Sequence, residues 1–207
     1  MANSLDTPRA PALPLPPETY TRVAFDRSNN VTRLFFNRLT TTLIDLLGTN
    51  NGGKYLYAPR GVFYSTTDQT ASSANTGYPV EFEVTSVSSG VTIGGSDDTR
   101  VTVNADGVYN FQVTLQLEQN NSSAATVWVW AIINGSNQVY SGQKNTVAGS
   151  TNATAHWNLS LNLTANQYVE VYWATSDTQL NLHTETASTP HPGIPAAVVS
   201  VSFVSNT

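Results

Sequence analysis

The chain has 207 residues, of which 40% are hydrophobic and only 11% charged, with a net charge of −5. Globular chains usually carry about a quarter charged residues, and here no run of Lys or Arg offers a footprint for nucleic acid or an anionic membrane. The absence of cysteine excludes disulfide staples, zinc–thiolate sites and thiol catalysis. Asn, Ser and Thr supply the polarity instead, as suits a sturdy extracellular or particle-bound β protein.

The N-terminal stretch, residues 1–27, holds Pro8, Pro11, Pro14, Pro16 and Pro17. Such spacing disfavours helix and central strand and favours extended polyproline conformations. It reads as an arm, either a free tail or a segment that orders on a partner. It lacks the charged region followed by an apolar stretch that marks a secretory signal. A chain of external character without an export signal fits a virion protein, which leaves the cell by lysis.

Residues 28–53 read as an amphipathic helix and a hinge. Ser28 is placed as N-cap and Gly48 as the stop of a helix over 28–47. Phe36, Leu39, Leu43 and Leu46 are spaced 3, 4, 3 and form one stripe. That stripe fits either packing on the chain's own β domain or a short parallel bundle between subunits. Thr40, Thr41 and Thr42 in mid-helix lower the intrinsic propensity, so the helix is expected to need partners. Asn50-Asn51-Gly52-Gly53 follows as the hinge.

Residues 54–207 read as a head made of strands and turns. Val80–Val84 alternates strictly, Val101 and Val103 follow a turn at Gly94-Gly95, and Asp106-Gly107 leads into a long strand over 108–117. In that strand Phe111, Val113, Leu115 and Leu117 share one face, with Asn110, Gln112, Thr114 and Gln116 on the other. Trp157, Leu159, Leu161 and Leu163 alternate with His156, Asn158, Ser160 and Asn162. Val169, Val171 and Trp173 alternate with Tyr168, Glu170 and Tyr172. Pro190, Pro192 and Pro195 mark a loop before a last strand over 197–204. Many short strands without intervening helices predict an all-β head, an antiparallel sandwich, jelly roll or barrel.

The segment from Val127 to Ile133 is apolar on both faces and ends at Asn134-Gly135. It is far too short to span a bilayer. An antiparallel sandwich strand normally turns one face to the core and one to water. Here Val127, Val129, Ala131 and Ile133 fill one face, and Trp128, Trp130 and Ile132 the other. Two tryptophans facing water would make a conspicuous patch, so a second subunit, a loop or a ligand is expected to cover them.

The head resembles the trimeric jelly roll of the complement-globular-head and tumour-necrosis-factor superfamily over residues 60–207. The resemblance rests on Asn104-Ala-Asp-Gly-Val-Tyr-Asn-Phe-Gln-Val, on Ile132-Ile-Asn-Gly, on Leu159-Ser-Leu-Asn-Leu-Thr-Ala-Asn-Gln-Tyr-Val-Glu-Val and on Val199-Ser-Val-Ser-Phe, in the same order and spacing. Asn166 stands where that family often has Gly. The whole layout is also similar to small structural proteins of tailed bacteriophages, through Leu13-Pro-Leu-Pro-Pro-Glu-Thr-Tyr, Asn30-Val-Thr-Arg-Leu-Phe-Phe-Asn-Arg-Leu and Pro192-Gly-Ile-Pro. The resemblance implies an N-terminal segment that attaches to the particle through Leu13, Pro14, Leu15, Pro16, Pro17 and Tyr20. It also implies heads that form homotrimers, with Phe36, Leu39, Leu43, Leu46, Trp128, Trp130 and Ile132 at the interface.

Candidate chemistry is sparse. Glu81 and Glu83 point the same way from one strand, but Val80, Phe82 and Val84 define its buried side, which leaves the glutamates to solvent. Asp97-Asp98 falls short of the six to eight oxygen ligands that calcium takes. His156, His183 and His191 show no metal spacing, and His183 shares a face only with Glu185. No nucleophile elbow or phosphate-binding glycine loop occurs.

The reading is therefore a non-enzymatic structural protein of the virion without a cofactor. It would be a capsid decoration or head-fibre homotrimer whose partners are itself and other virion proteins, with neither nucleic acid nor membrane insertion. The alternative is a short tail fibre or spike that recognises host surface glycan through Tyr140, Tyr168, Tyr172, His183 and His191.

Overall fold

The computed structural model describes residues 12, 18, 19, 21–47 and 58–205, and of residues 45–47 the backbone only. The chain divides into two compact units, residues 1–57 and 58–207. Leu13, Pro14, Leu15, Pro16, Pro17 and Tyr20 lie outside the described residues, as do the hinge at 50–53 and the side chain of Leu46.

The first unit holds α1, Arg22–Leu47, 26 residues long. It starts six positions before the expected N-cap. Thr21 takes that place, its carbonyl accepting from the Phe25 N–H at 3.2 Å, and Ser28 sits within the second turn. Arg22, Ala24 and Arg27 are good helix formers, and Arg22 meets Asp26 one turn on at 3.7 Å, so nothing stops the helix from running back to Thr21. Neither end is matched to the helix dipole, with no acidic residue in the first turn and no basic one in the last. Thr41 turns its hydroxyl back on the Asn37 carbonyl at 3.0 Å, competing with the backbone as a hydroxyl in mid-helix does. Phe36 and Leu43 are exposed, and so are Val23, Leu34 and Ile44, while Leu39 is half-buried.

The second unit is an antiparallel jelly-roll sandwich of two sheets. Its strands are β1 (Arg60–Ser65), β2 (Gln69–Thr70), β3 (Tyr78–Pro79), β4 (Val84–Ser89), β5 (Val91–Gly94), β6 (Arg100–Val103), β7 (Gly107–Gln119), β8 (Ala125–Ile133), β9 (Ser136–Asn137), β10 (Gln143–Val147), β11 (Thr151–Leu163), β12 (Tyr168–Thr175), β13 (Leu180–Leu182) and β14 (Ala197–Ser205). Sheet one runs β2-β13-β7-β14-β1-β4, and β11 joins it on β7. β11 follows one edge of β7 for its whole length, from Thr151 opposite Gln119 to Leu163 opposite Gly107. The other edge is shared, β14 lying on Val108–Leu115 and β13 on Leu117–Gln119. Sheet two runs β10-β8-β12-β6-β5, with β3 on β12 and β9 on β8.

The alternation in the sequence explains the core. Phe111, Val113, Leu115 and Leu117 of β7, Val127, Val129 and Ala131 of β8, and Val169, Val171 and Trp173 of β12 are all at most 2% exposed. They meet Phe63, Phe82, Val199 and Val201 between the sheets. The turn after β8 places Asn134 at φ 48° and Gly135 at φ 80°, the left-handed pair that a tight hairpin into β9 needs and that Asn-Gly adopts readily.

One predicted strand is different. Val80–Glu83 alternates in burial as expected, with Val80 and Phe82 fully buried, yet it is no ladder strand. The Gln69 side-chain amide both accepts from the Glu81 N–H at 3.0 Å and donates to the Glu81 carbonyl at 2.9 Å. The Val80 N–H goes to Val171 O and the Phe82 N–H to Asp98 O. A side chain thus stands in for a neighbouring strand. Asp98, suggested by sequence as half of a weak calcium motif, is a turn residue at φ 51°.

The Tyr109 ring is buried against Phe203, centroids 5.5 Å apart, and its hydroxyl donates to the Ala105 carbonyl at 2.8 Å. Burial, with Asp106 adding to it against the Ala105 bond, pushes the phenol up to about 12. The native state therefore holds this proton more tightly than the unfolded chain, whose tyrosines titrate near pH 10. The associated stability is present in full below about pH 10 and is lost as pH rises toward about 12. Denaturant midpoints measured across that interval should fall for the natural chain and fall less for Tyr109→Phe.

Candidate functional site

Three places carry the residues singled out by sequence. The first is the outer face of sheet two. Trp128, Trp130 and Ile132 project from β8 and are half-buried. Register sets Trp130 opposite Tyr172 and Trp128 between Ala174 and Lys144. The Trp130 and Tyr172 rings lie 5.7 Å apart at 43°. Trp130 donates its indole N–H to Asn137 Oδ1 at 3.0 Å. A Cβ at Gly77 would stand 2.9 Å from the Trp130 ring, so the loop before β3 already lies on that tryptophan.

The same face carries Tyr168 and Tyr172, which the sequence offers as glycan contacts and whose alternation with Val169, Val171 and Trp173 already reads as a strand. Both are half-buried residues of β12. Arg100 stacks its guanidinium over Tyr168, 4.4 Å from the ring centroid. It also bonds Glu170 at 3.3 Å. Glu170 is only 7% exposed and accepts a second bond from the Thr99 hydroxyl at 3.1 Å. A buried carboxylate is tolerated when paired and hydrogen-bonded in this way. Burial, and next the Glu170 charge, raise the Tyr172 phenol.

The second place is the loop from β9 to β10. Ser141 is buried, its hydroxyl donating to Gln138 O and accepting from the Ala131 N–H, while its carbonyl accepts from the Trp157 indole at 2.8 Å. Pinning Ser141 pushes its neighbour out. Tyr140 takes φ 59° and is fully exposed beside exposed Val139. An unsupported tyrosine and valine on a loop tip form a small contact point.

The third place is a pair of histidine clusters. His183 Nδ1 lies 3.3 Å from Asp68 and 3.5 Å from Glu118, and the Thr184 N–H donates to Asp68 Oδ1 at 2.6 Å. His191 faces Glu185 at 3.6 Å and the Ser188 hydroxyl at 3.3 Å. His183 and Glu185, which the sequence puts on one face, thus take different partners. Asp68 and Glu118 were missed because they reach His183 from β13's neighbours across the sheet, at spacings that carry no local pattern. Among the described residues no group of three or more His, Asp or Glu is disposed to hold a metal ion, and no helix is long and apolar enough to cross a membrane.

The two glutamates considered for acid–base work differ in state. Burial, with Asp97, Glu83 and Asp98 nearby, raises the Glu81 carboxyl. Burial would also raise Glu83, but bonds from the Thr66 backbone and hydroxyl outweigh it and hold Glu83 low. Glu83 is committed to that turn, which leaves Glu81 as the carboxylate of the pair without a hydrogen-bond partner among the described residues.

The outer faces of β7 and β11 are mostly amide and hydroxyl, with Glu118 the carboxylate at one end of β7. Asn110 donates to Asn158 at 2.7 Å, Thr154 to Gln116 at 2.7 Å, and Thr114 meets His156 at 3.2 Å. These amides and hydroxyls tie β7 to β11 side chain by side chain, as cross-strand pairs do. No protein-family model matches the chain, and no curated protein matches it.

Proposed function

We propose that the chain is a structural protein of a tailed-phage particle, a homotrimer that decorates the capsid or forms a head fibre. Its N-terminal segment attaches to the particle, and its jelly-roll head faces outward. The observation that carries this reading is α1. Val23, Leu34, Phe36, Leu43 and Ile44 lie exposed on one 26-residue helix, and helices of this kind gain most of their stability from an apolar partner. Parallel copies of the same helix supply such a partner. The low charge and the amide and hydroxyl face of sheet one support a durable outward head. Attachment at many equivalent sites lets each arm contribute only modest affinity.

Light scattering tests it. The full chain should give about three times the 22.3 kDa mass of one copy. If residues 58–207 keep the threefold mass, the head holds the trimer, with Trp128, Trp130 and Ile132 in the interface. If they fall to a single copy, α1 holds it. A monomeric full chain overturns the proposal.

A further inference from the structure

The 13 residues of β11, Thr151–Leu163, form one edge of sheet one. The strand pairs with β7 alone and keeps register along its whole length, without a bulge. At about 3.4 Å per residue it presents an edge of roughly 40 Å.

The direction of its backbone groups follows from β7. The Gln116 N–H donates to Ala196 O, the Gln116 carbonyl accepts from the His183 N–H, and the Asn120 N–H donates to Gln179 O. Even-numbered residues there turn their backbone toward β14 and β13, whereas Asn121 turns its carbonyl the other way, to the Ser150 N–H. Odd-numbered residues of β7 therefore bond β11, and their partners are odd as well, Val113 facing Trp157 and Leu117 facing Ala153. Alternation in an antiparallel ladder then sends the N–H and C=O groups of Asn152, Thr154, His156, Asn158, Ser160 and Asn162 off the open edge. Among the described residues nothing bonds these groups.

Open edges are normally short, charged, bulged or covered, because unpaired ladder groups recruit other strands. The other edges of this sandwich follow that rule. β10 has five residues with Lys144 among them, and β5 has four and ends on Gly94. β2 has two, and β4 has six, with a register shift at Val62/Phe63 in its pairing with β1. β11 is the exception, with no Lys, Arg, Asp, Glu, Pro or Gly along it.

We propose that a second copy of this chain docks on this edge, its own β11 adding antiparallel across a two-fold axis at Trp157. The strand's own sequence selects that occupant. The register sets His156 opposite Asn158, Thr154 opposite Ser160 and Asn152 opposite Asn162, so each outward N–H meets an outward carbonyl. All six side chains are exposed in a single copy, and each meets one with which it can hydrogen-bond. On the inward side Ala155 comes opposite Leu159 and Ala153 opposite Leu161, small against large. A strand with charged residues at alternate positions would find no counter-charge here. The inference goes beyond the trimer reading, since it joins two heads whether they belong to single copies or to neighbouring trimers.

The test is sedimentation equilibrium of the full-length protein across a wide range of concentration, with amide exchange followed by NMR. The mass should rise with concentration to double that of the smallest species. That holds whether the smallest species is one copy or three, so failure of the trimer reading leaves this result standing. The amides of Asn152, Thr154, His156, Asn158, Ser160 and Asn162 should become protected as the mass doubles, while those of Trp157 and Leu161 are protected throughout. His156→Lys combined with Asn158→Lys sets lysine against lysine across the axis, and should weaken the association about tenfold or more. Should that pair unfold the head, Asn158→Pro removes one outward N–H without taking a bond from the β7 ladder, and should weaken it likewise. A mass that never exceeds the smallest species, with those amides unprotected, overturns the proposal. So does doubling that both variants leave intact, which puts the contact on another surface. Protection of the same amides without doubling means that the edge is covered within the smallest species, and overturns it equally.

Discussion

Replacing Phe111 by Ala should cost the head about 3–5 kcal/mol, the usual range for truncating a buried phenylalanine. Phe111 is fully buried at the middle of β7. Its backbone neighbours are Leu159 on β11 and Val201 on β14, so the hole opens where three strands of sheet one meet the opposing sheet. Both flanks are hydrogen-bonded ladders, which limits how far the site can collapse. Against a total stability of about 5–15 kcal/mol, the loss should move the urea midpoint far enough to leave a measurable unfolded fraction in buffer. Gln112 is next in sequence and exposed. Gln112→Ala should change stability by no more than about 0.5 kcal/mol. If the two variants unfold alike, the assignment of faces on β7 is wrong.

Gly149→Ala should be nearly as damaging, although it adds one methyl group on a half-buried turn between β10 and β11. A Cβ at Gly149 would run into the carbonyl group of Ser122 and stand 2.8 Å from the Ser123 N–H. Both obstacles are backbone, so no rotamer change relieves them. The two turns are also stitched together, the Ser150 N–H donating to Asn121 O at 2.8 Å. Overpacking of this kind costs about 1–3 kcal/mol or more. Thermal unfolding should show a clear drop in midpoint for Gly149→Ala and little change for Gly142→Ala, whose Cβ would meet nothing nearer than Val129 O at 4.0 Å.

Neither turn contact could be read from the sequence, whereas the central strands could. β7, β11, β12 and β14 were legible because apolar residues recur along one face of each, and β8 because a short apolar run ends at Asn134-Gly135; burial of one face outweighs local preference along such strands. The helix was legible as a helix but not in its start, since Ser28 resembles a cap and only the run of good helix formers before it argues otherwise. Val80–Glu83 shows the limit of periodicity. Its burial alternates as the pattern implies, but the Gln69 side chain supplies the bonds that a neighbouring strand would normally give. Sites fared worse. Tyr168 and Tyr172 were legible as strand residues, but the Arg100 guanidinium that covers Tyr168 and bonds Glu170 was not. His183 finds Asp68 and Glu118, and Trp173 finds Tyr78, only after the sandwich has folded. No spacing along the chain announces contacts made between sheets and turns.

β14 lies at the centre of sheet one, between β1 and β7. Ser65 near the start of the head pairs with Ala197, so two halves made early in synthesis wait for residues 197–205 before they can join. Until then β1 with β4, and β7 with β11, each expose an open ladder edge, the condition in which strands pair with the wrong chain. Closure across so long a loop is slow. A ribosome that stops short of position 197 therefore leaves a split sheet rather than a slightly trimmed one, and correct assembly is a race between finishing the chain and meeting a neighbour.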